Sequence, residues 1–429
     1  MKFFQTSLYS LILRGITMAS KFILLLYMAR LLTPSEVGIY GMISANVALC
    51  LYFLGMDFYV FNTREILHQE ENNRSRFIRD QLVFHGVMYL IILPLLLIVF
   101  VVGFIPWEYV WFFYALLVLE HLCQESYRLL ITLSHPIIAN IVLFLRSGAW
   151  IYAVVAAMFF ANNTRNIYFI CLGWVLGSSL SLLITYYFLN SKSYLIFRGE
   201  PINWPWIVRG LKSSSIFLFA TISFKTMEYA DRFFIKYYHG DAMVGIYSFY
   251  AQIANVIQTF VFTGTIMILS PKILTAFRQK QFNEYCHLVR ILGYSAIGGA
   301  ILLAVTSGFA INIVLRWVNK ELYTSHITVY WVMLISMVLL VVAELPNLGL
   351  YVRHKDSFIL KSALIAVSLT IICHSFLVPM YGILGAAFGN LLGALILLLS
   401  KWYFISSVNN AEQSLAVKEQ ELSYENVIL

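Results

Sequence analysis

The chain has 429 residues, 60% of them hydrophobic and only 12% charged, with a formal net charge of +8. A soluble domain holds about 45–50% apolar and about 25% charged residues, so this chain cannot cover a water-facing surface. Together with a mean hydropathy of +0.79, this excludes a soluble enzyme, a secreted disulfide scaffold and a disordered regulator.

What remains is an all-α polytopic membrane protein. The apolar runs last about twice the ~10-residue alternating strand of an outer-membrane barrel. A crossing helix needs ~20 residues, and about twelve such runs account for the apolar fraction. The expected spans lie at about 8–30, 37–58, 81–102, 109–130, 137–160, 167–189, 212–235, 243–268, 288–315, 326–350, 357–378 and 382–405. Arg14 breaks the first apolar run and no small-residue cleavage site follows, so this segment reads as an uncleaved span rather than a signal peptide. Turn residues punctuate the pattern at Thr33-Pro34-Ser35, at Ser134-His135-Pro136 and from Pro201 to Pro205.

Lysine and arginine divide unevenly between the two sides. The termini and every second loop hold 19; the opposite loops hold 6, namely Arg30, Arg165, Arg232, Lys236, Arg316 and Lys320. The positive-inside rule then predicts that both termini are cytoplasmic. The loops on the far side are short, which leaves no room for a catalytic domain there. No phosphate loop, His-Glu metal motif or nucleophile elbow occurs, and the five cysteines lack metal-ligand spacing. No catalytic residue, metal or cofactor is expected, and the basic charge is read against the bilayer rather than against nucleic acid.

A duplication runs through the chain. Val37-Gly38-Ile39-Tyr40 recurs as Val244-Gly245-Ile246-Tyr247, opening the second and eighth spans. Leu172-Gly173 with Gly177 recurs as Leu384-Gly385 with Gly389, in the sixth and twelfth. The offsets, 207 and 212, are nearly equal and each covers six spans. A duplicated even-span unit gives two lobes related by an axis along the membrane normal, with a cavity between them. The expected division is a six-helix lobe at 1–190, a cytoplasmic linker at 191–211, a second six-helix lobe at 212–405 and a cytoplasmic tail at 406–429.

Three stretches carry a family resemblance. Ala29-Arg30-Leu31-Leu32-Thr33-Pro34-Ser35-Glu36-Val37-Gly38-Ile39-Tyr40 resembles the first-loop signature of the polysaccharide-biosynthesis flippases, within the multidrug/oligosaccharidyl-lipid/polysaccharide exporter superfamily. Tyr229-Ala230-Asp231-Arg232-Phe233-Phe234-Ile235 with Gly245-Ile246-Tyr247 resembles the second-half signature, and Gly382-Ile383-Leu384-Gly385-Ala386-Ala387 the start of the last span. The resemblance implies twelve spans in two lobes and a lipid-linked substrate: an oligosaccharide repeat unit on undecaprenyl diphosphate, moved across the bacterial inner membrane for O-antigen, lipopolysaccharide or capsule assembly. Membrane lipids and other polysaccharide-assembly proteins are the further partners it implies.

Charges within spans nominate the site, because each costs ~2.5–3.5 kcal/mol at the bilayer centre unless water, a partner or a ligand meets it. Lys21 lies ~20 Å into the first span. Arg14 is one face-repeat shallower and within snorkelling reach of the surface. Arg146 is flanked by Ser147 and Gly148, and Glu120 is its candidate ion-pair partner. Lys225, Glu228 and Arg232 form one stripe at i, i+3 and i+7. Lys21, Arg146, Lys225 and Arg14 are therefore the expected cationic lining for a diphosphate, which guanidinium and ammonium groups recognise. Gln252, Asn255 and Thr259 form an uncharged polar stripe suited to sugars. Glu228, Glu344 and Glu120 are either ion-pair members or coupling groups for a proton or sodium ion. Two other readings stand beside this one. A multidrug exporter would want carboxylates for an organic cation. A membrane glycan polymerase or acyltransferase would want a large outer loop or a deep histidine with an acid, and no acidic residue flanks His374 in its span.

Overall fold

Thr33-Pro34-Ser35-Glu36 shows how the sequence starts its helices. The Thr33 hydroxyl accepts the Glu36 amide at 3.3 Å, while a Glu36 carboxylate oxygen accepts the Thr33 amide at 2.8 Å. Pro34 fills the first helical position, where no amide is needed. In the computed structural model, residues 2–428 are described apart from 69, 196–198 and 200. Side chains at 2–8, 10–11, 71–72, 216 and 411–428 lie outside the description.

The described residues form helices and no strands. In chain order they are α1 (Lys2–Leu31), α2 (Pro34–Gly55), α3 (Phe58–Leu67), α4 (Glu71–Leu95), α5 (Ile98–Val101), α6 (Val110–Thr132), α7 (Pro136–Phe144), α8 (Trp150–Phe160), α9 (Ile167–Ser191), α10 (Trp204–Val261), α11 (Met267–Arg278), α12 (Phe282–Val318), α13 (Glu321–Thr324), α14 (Ile327–Val352) and α15 (Asp356–Ile428). Single π-turns, Leu145–Ala149 and Phe262–Ile266, join α7 to α8 and α10 to α11.

Nine described stretches are long and apolar enough to cross a membrane. Two of them, 62 and 55 residues long, far exceed the ~20 residues of one crossing. Each contains a backbone break at a glycine: Gly240 with φ 78° and ψ −175°, and Gly382 with φ 58° and ψ −137°. Those breaks turn nine spans into eleven. Helix α6, 23 residues long, supplies the twelfth; Glu120, Glu125 and Arg128 keep it from reading as uniformly apolar. The protein is thus an all-α polytopic membrane protein of about twelve transmembrane helices. The last helix continues past 405 as far as Ile428.

Two compact units divide the chain: Met1–Phe249 with Val314–Leu322, and Tyr250–Ile313 with Tyr323–Leu429. In the first, Leu24 and Met28 of α1, and Leu32 just after it, pack with Ile151, Val154 and Met158 of α8 and Ile170 of α9. Phe58, Phe84 and Trp206 form an aromatic knot, Phe58 stacking on Phe84 at 4.5 Å. The tip of α12 belongs to this unit: Lys320 donates to the Leu32 carbonyl, and Trp317 lies beneath the Arg30 guanidinium at 4.5 Å. In the second unit, Ile266, Ile273, Leu292, Leu348 and Val352 form the core, and α14 packs along α15.

The second repeat fragment has a packing reason in both copies. A β-carbon on Gly177 would overlap the Trp150 ring, and one on Gly389 would stand 2.7 Å from His374 Nε2. In each half, the sixth span presses a glycine onto the fifth.

Candidate functional site

The π-turn Leu145–Ala149 carries Arg146. Such a turn places one extra residue in the helix and frees a carbonyl; here Trp150 Nε1 donates to the Arg146 carbonyl at 2.9 Å. Gly148 in the same turn lets α1 come close: a β-carbon there would stand 3.3 Å from Ser20 Oγ. Ser20 itself donates to the Ile16 carbonyl and meets Tyr152 Oη at 3.0 Å. That approach sets Lys21, the next residue of α1, beside Arg146.

Glu120 of α6 is the anion of the cluster. Its Oε2 accepts Arg146 Nε at 2.7 Å and forms the ion pair with Nη2 at 2.5 Å. Its Oε1 accepts Trp174 Nε1 and Ser178 Oγ, each at 2.9 Å. Trp174 and Ser178 stand four apart on α9 and so share a face. The carboxylate is fully engaged, with only 8% of its side chain exposed. Arg146 has five N–H donors, and Glu120 takes two of them.

Lys21 forms no ion pair among the described residues. It lies within electrostatic reach of both Arg146 and Glu120 and is exposed. Tyr52 of α2 extends the cluster towards α10: it is within electrostatic reach of Arg146, and the Lys225 ammonium sits 5.9 Å from its ring. Lys225 is held by Glu228 at 2.6 Å. The first compact unit thus links Lys21, Arg146, Tyr52 and Lys225, with two carboxylates against three cations.

The other nominated residues lie apart from that cluster. Arg14 donates to Asn140 Oδ1 at 2.9 Å and to Tyr127 Oη at 2.5 Å, so it clamps α1 to α6 and α7 rather than reaching for the surface. Gln252 and Asn255 are exposed along one face of α10, and Thr259 donates back to the Asn255 carbonyl. Glu344 accepts from Asn347 at 3.1 Å and stands 4.0 Å from Lys401 Nζ.

Sequence reasoning passed over Lys401, which is fully buried; its place near a span end makes it look like an interfacial lysine. It also passed over the join between the resembling motifs. Tyr247 donates to Asp231 Oδ2 at 2.6 Å, and Arg232 pairs with Asp231 at 3.0 Å, so the two parts of the second-half signature meet in one buried contact. The recurrence of the Gly-Ile-Tyr part in the sequence was the available signal.

A family profile described as polysaccharide biosynthesis protein matches residues 3–273. The chain belongs to that family. No curated protein matches it. Among solved structures it is similar to an inward-facing MATE-family multidrug resistance transporter of the MOP superfamily, with a TM-score of 0.71 at 13% identity, covering 94% of this chain and 99% of that one. It is also similar to the lipid II flippase MurJ in an inward closed conformation (TM-score 0.69, 13% identity, 94% and 87% covered). The Vibrio cholerae MATE transporter VcmN gives a TM-score of 0.56 at 14% identity, with 95% and 96% covered. At these identities the likeness establishes the fold: that of the twelve-helix transporters. Family and fold together make this a multi-pass membrane protein of the polysaccharide biosynthesis family.

Proposed function

We propose that the protein is a flippase that carries undecaprenyl-diphosphate-linked oligosaccharide repeat units across the bacterial inner membrane, for O-antigen, lipopolysaccharide or capsule assembly. It works by alternating access of two six-helix lobes, 1–190 and 212–405, joined by the linker 191–211. Both termini, including the tail 406–429, face the cytoplasm. Other polysaccharide-assembly proteins are its expected partners.

The observation that carries this reading is the uncompensated charge at Lys21. Glu120 is committed to Arg146 and Glu228 to Lys225. An ammonium left over in a membrane span favours an anionic ligand, and three donors of Arg146 remain for phosphate oxygens. Gln252, Asn255 and Thr259 are the residues assigned to the sugars. A polyprenyl tail needs no polar lining and stays in lipid.

An organic-cation exporter is the second reading, and the MATE likeness supports it. Such a cargo wants an available carboxylate, whereas Glu120 is surrounded by four donor contacts. The test is surface-polysaccharide display in cells lacking the native gene. Lys21→Ala is expected to reach normal membrane abundance yet lose display, and Lys21→Arg to keep part of it. Full display by Lys21→Ala at normal abundance would falsify the anion-site reading. Sidedness is tested separately: reporters fused at residues 163 and 410 are expected on opposite sides.

A further inference from the structure

Helices α4 and α6 bury a second polar group whose chemistry the cationic cluster does not use. His85 of α4 and His121 of α6 meet edge to face, ring centroids 4.7 Å apart, each 1% exposed. His121 Nδ1 and Tyr89 Oη share a hydrogen bond at 2.7 Å. His121 Nε2 and both ring nitrogens of His85 have no hydrogen-bond partner among the described residues. A buried polar atom without a partner is costly, so three together in one place need a reason.

Gly55, the last residue of α2, supplies it. A β-carbon there would stand 3.1 Å from His121 Nε2 and 3.7 Å from Glu125 Oε1. Its backbone is ordinary helix, so conformation does not require glycine. The missing side chain keeps open a space on which an imidazole nitrogen and a carboxylate oxygen converge. Glu125 is a fixed wall: Oε1 takes Arg128 at 2.6 Å and Oε2 takes Gln81 Nε2 at 2.8 Å, with Asn62 bonded to Gln81 behind. Arg128 lies 3.6 Å over the Tyr59 ring of α3. The charged groups that reach the histidines are Glu125 and Arg128 of α6 and Arg146 of the π-turn. Asp57, between α2 and α3, adds a second carboxylate near Glu125 and Arg128. Tyr89 comes from α4.

We propose that the space beside Gly55, walled by His121 and Glu125, with His85 packed against the His121 ring, is a proton-binding site separate from the cargo site. His121 keeps its Nδ1 proton, donated to Tyr89 Oη. The Nε2 lone pair forms a new N–H bond with a proton from hydronium, which leaves as water. The imidazolium so formed faces Glu125 on one side and the Tyr89 oxygen on the other. His121 adjoins Glu120 in sequence, and its added charge acts on Arg146. Resting on the anionic-cargo reading above, proton and diphosphate then favour one another, and the coupling is reciprocal.

The experiment follows the ring nitrogens of 15N-histidine-labelled protein in lipid nanodiscs from pH 8 to pH 5, with His121→Gln and His85→Gln to assign signals. Free imidazole in the same buffer serves as the control. The His121 signal is expected to change from neutral to doubly protonated within that range. Gly55→Ala, which leaves both rings in place but fills the space, is expected to abolish the change. A His121 that stays neutral throughout while free imidazole in the same buffer titrates overturns the site, as does a titration untouched by Gly55→Ala. Inorganic diphosphate is the probe for linkage. It is expected to raise the apparent proton affinity by about fivefold or more in the wild type and not in Lys21→Ala. A His121 titration indifferent to diphosphate keeps the proton site and overturns its link to anionic cargo. Loss of the titration leaves the cargo reading to the display assay alone.

Discussion

Gly38 and Gly245 face one another, and each makes room for the other's helix. A β-carbon on Gly38 would overlap the carbonyl oxygen of Asp241 and stand 3.0 Å from the Gly245 amide nitrogen. A β-carbon on Gly245 would overlap the carbonyl oxygen of Pro34 and stand 2.9 Å from the Gly38 nitrogen. Pro34 and Asp241 are themselves 207 positions apart, as the two glycines are. The contact is therefore its own image under exchange of the repeats: the duplicated Val-Gly-Ile-Tyr fragment packs against its own copy.

That reciprocity makes a quantitative expectation. Gly38→Ala and Gly245→Ala are each expected to cost about 1–3 kcal/mol by overpacking against backbone. The double variant is expected to cost less than the sum, because one separation of the helices relieves both clashes. Thermal unfolding of the purified variants in detergent measures this, and strict additivity would count against a shared contact.

The Glu120–Arg146 pair predicts a different pattern. Arg146→Ala leaves a carboxylate with 8% of its side chain exposed, hydrogen-bonded to Trp174 and Ser178 but without its ion-pair partner. Breaking one partner of a buried pair costs about 3–5 kcal/mol, so membrane abundance is expected to fall. Adding Glu120→Gln to Arg146→Ala is expected to recover most of the abundance without recovering transport. Immunoblots of membrane fractions read both. Equal abundance of the single and double variants would mean that the pair contributes nothing to folding.

Backbone strain is testable free of crowding at Gly240. Nothing lies within 4 Å of a β-carbon built there, yet its φ is +78°. Gly240→Ala is expected to cost about 1–3 kcal/mol from conformation alone. Gly298 of α12 also has open space but ordinary helical backbone. Gly298→Ala is expected to stabilise by up to about 1 kcal/mol. Melting temperatures moving in the same direction would refute the assignment of Gly240 as a chain break.

His135, between α6 and α7, packs its ring against Phe188 at 5.0 Å. Desolvation, then the charge of Lys192, holds its pKa below the ordinary value. Unfolded, the ring protonates near ~6.5. As pH falls through that value the unfolded chain takes up a proton that the folded chain resists, so stability declines toward the lower folded pKa and is complete above ~6.5. His135→Asn is expected to lose less melting temperature than the wild type between pH 7 and pH 5. An identical loss would exclude His135 as a contributor.

Hydrophobic runs and turn residues made the helical membrane class legible, and the wide spacing of the recurring glycines made the duplication legible. Glu120 and Arg146 could be paired by eye because both are isolated charges in apolar spans. The His85–His121 group could not: its members come from α2, α4 and α6 with no common period, and only packing brings Gly55 beside them. Lys401 hid at the end of a span, where a lysine ordinarily reaches water. Arg14 looked like a snorkelling residue because its partners, Tyr127 and Asn140, are ordinary residues of other helices.

The π-turn at Leu145–Ala149 also has a consequence for chain length. A regular α-helix advances about 100° per residue, and the turn holds one residue more than that spiral needs. With it, a single continuous helix aims Arg146 at Glu120 and, a turn later, lays Trp150 and Val154 over Gly173 and Gly177. Deleting any one residue of the five would restore an even spiral but swing the rest of α8 through about 100°. The helix would then have to choose between the ion pair and the glycine seats. Leu145, Ser147 and Ala149 can drift in identity, but the number of residues in the turn cannot change.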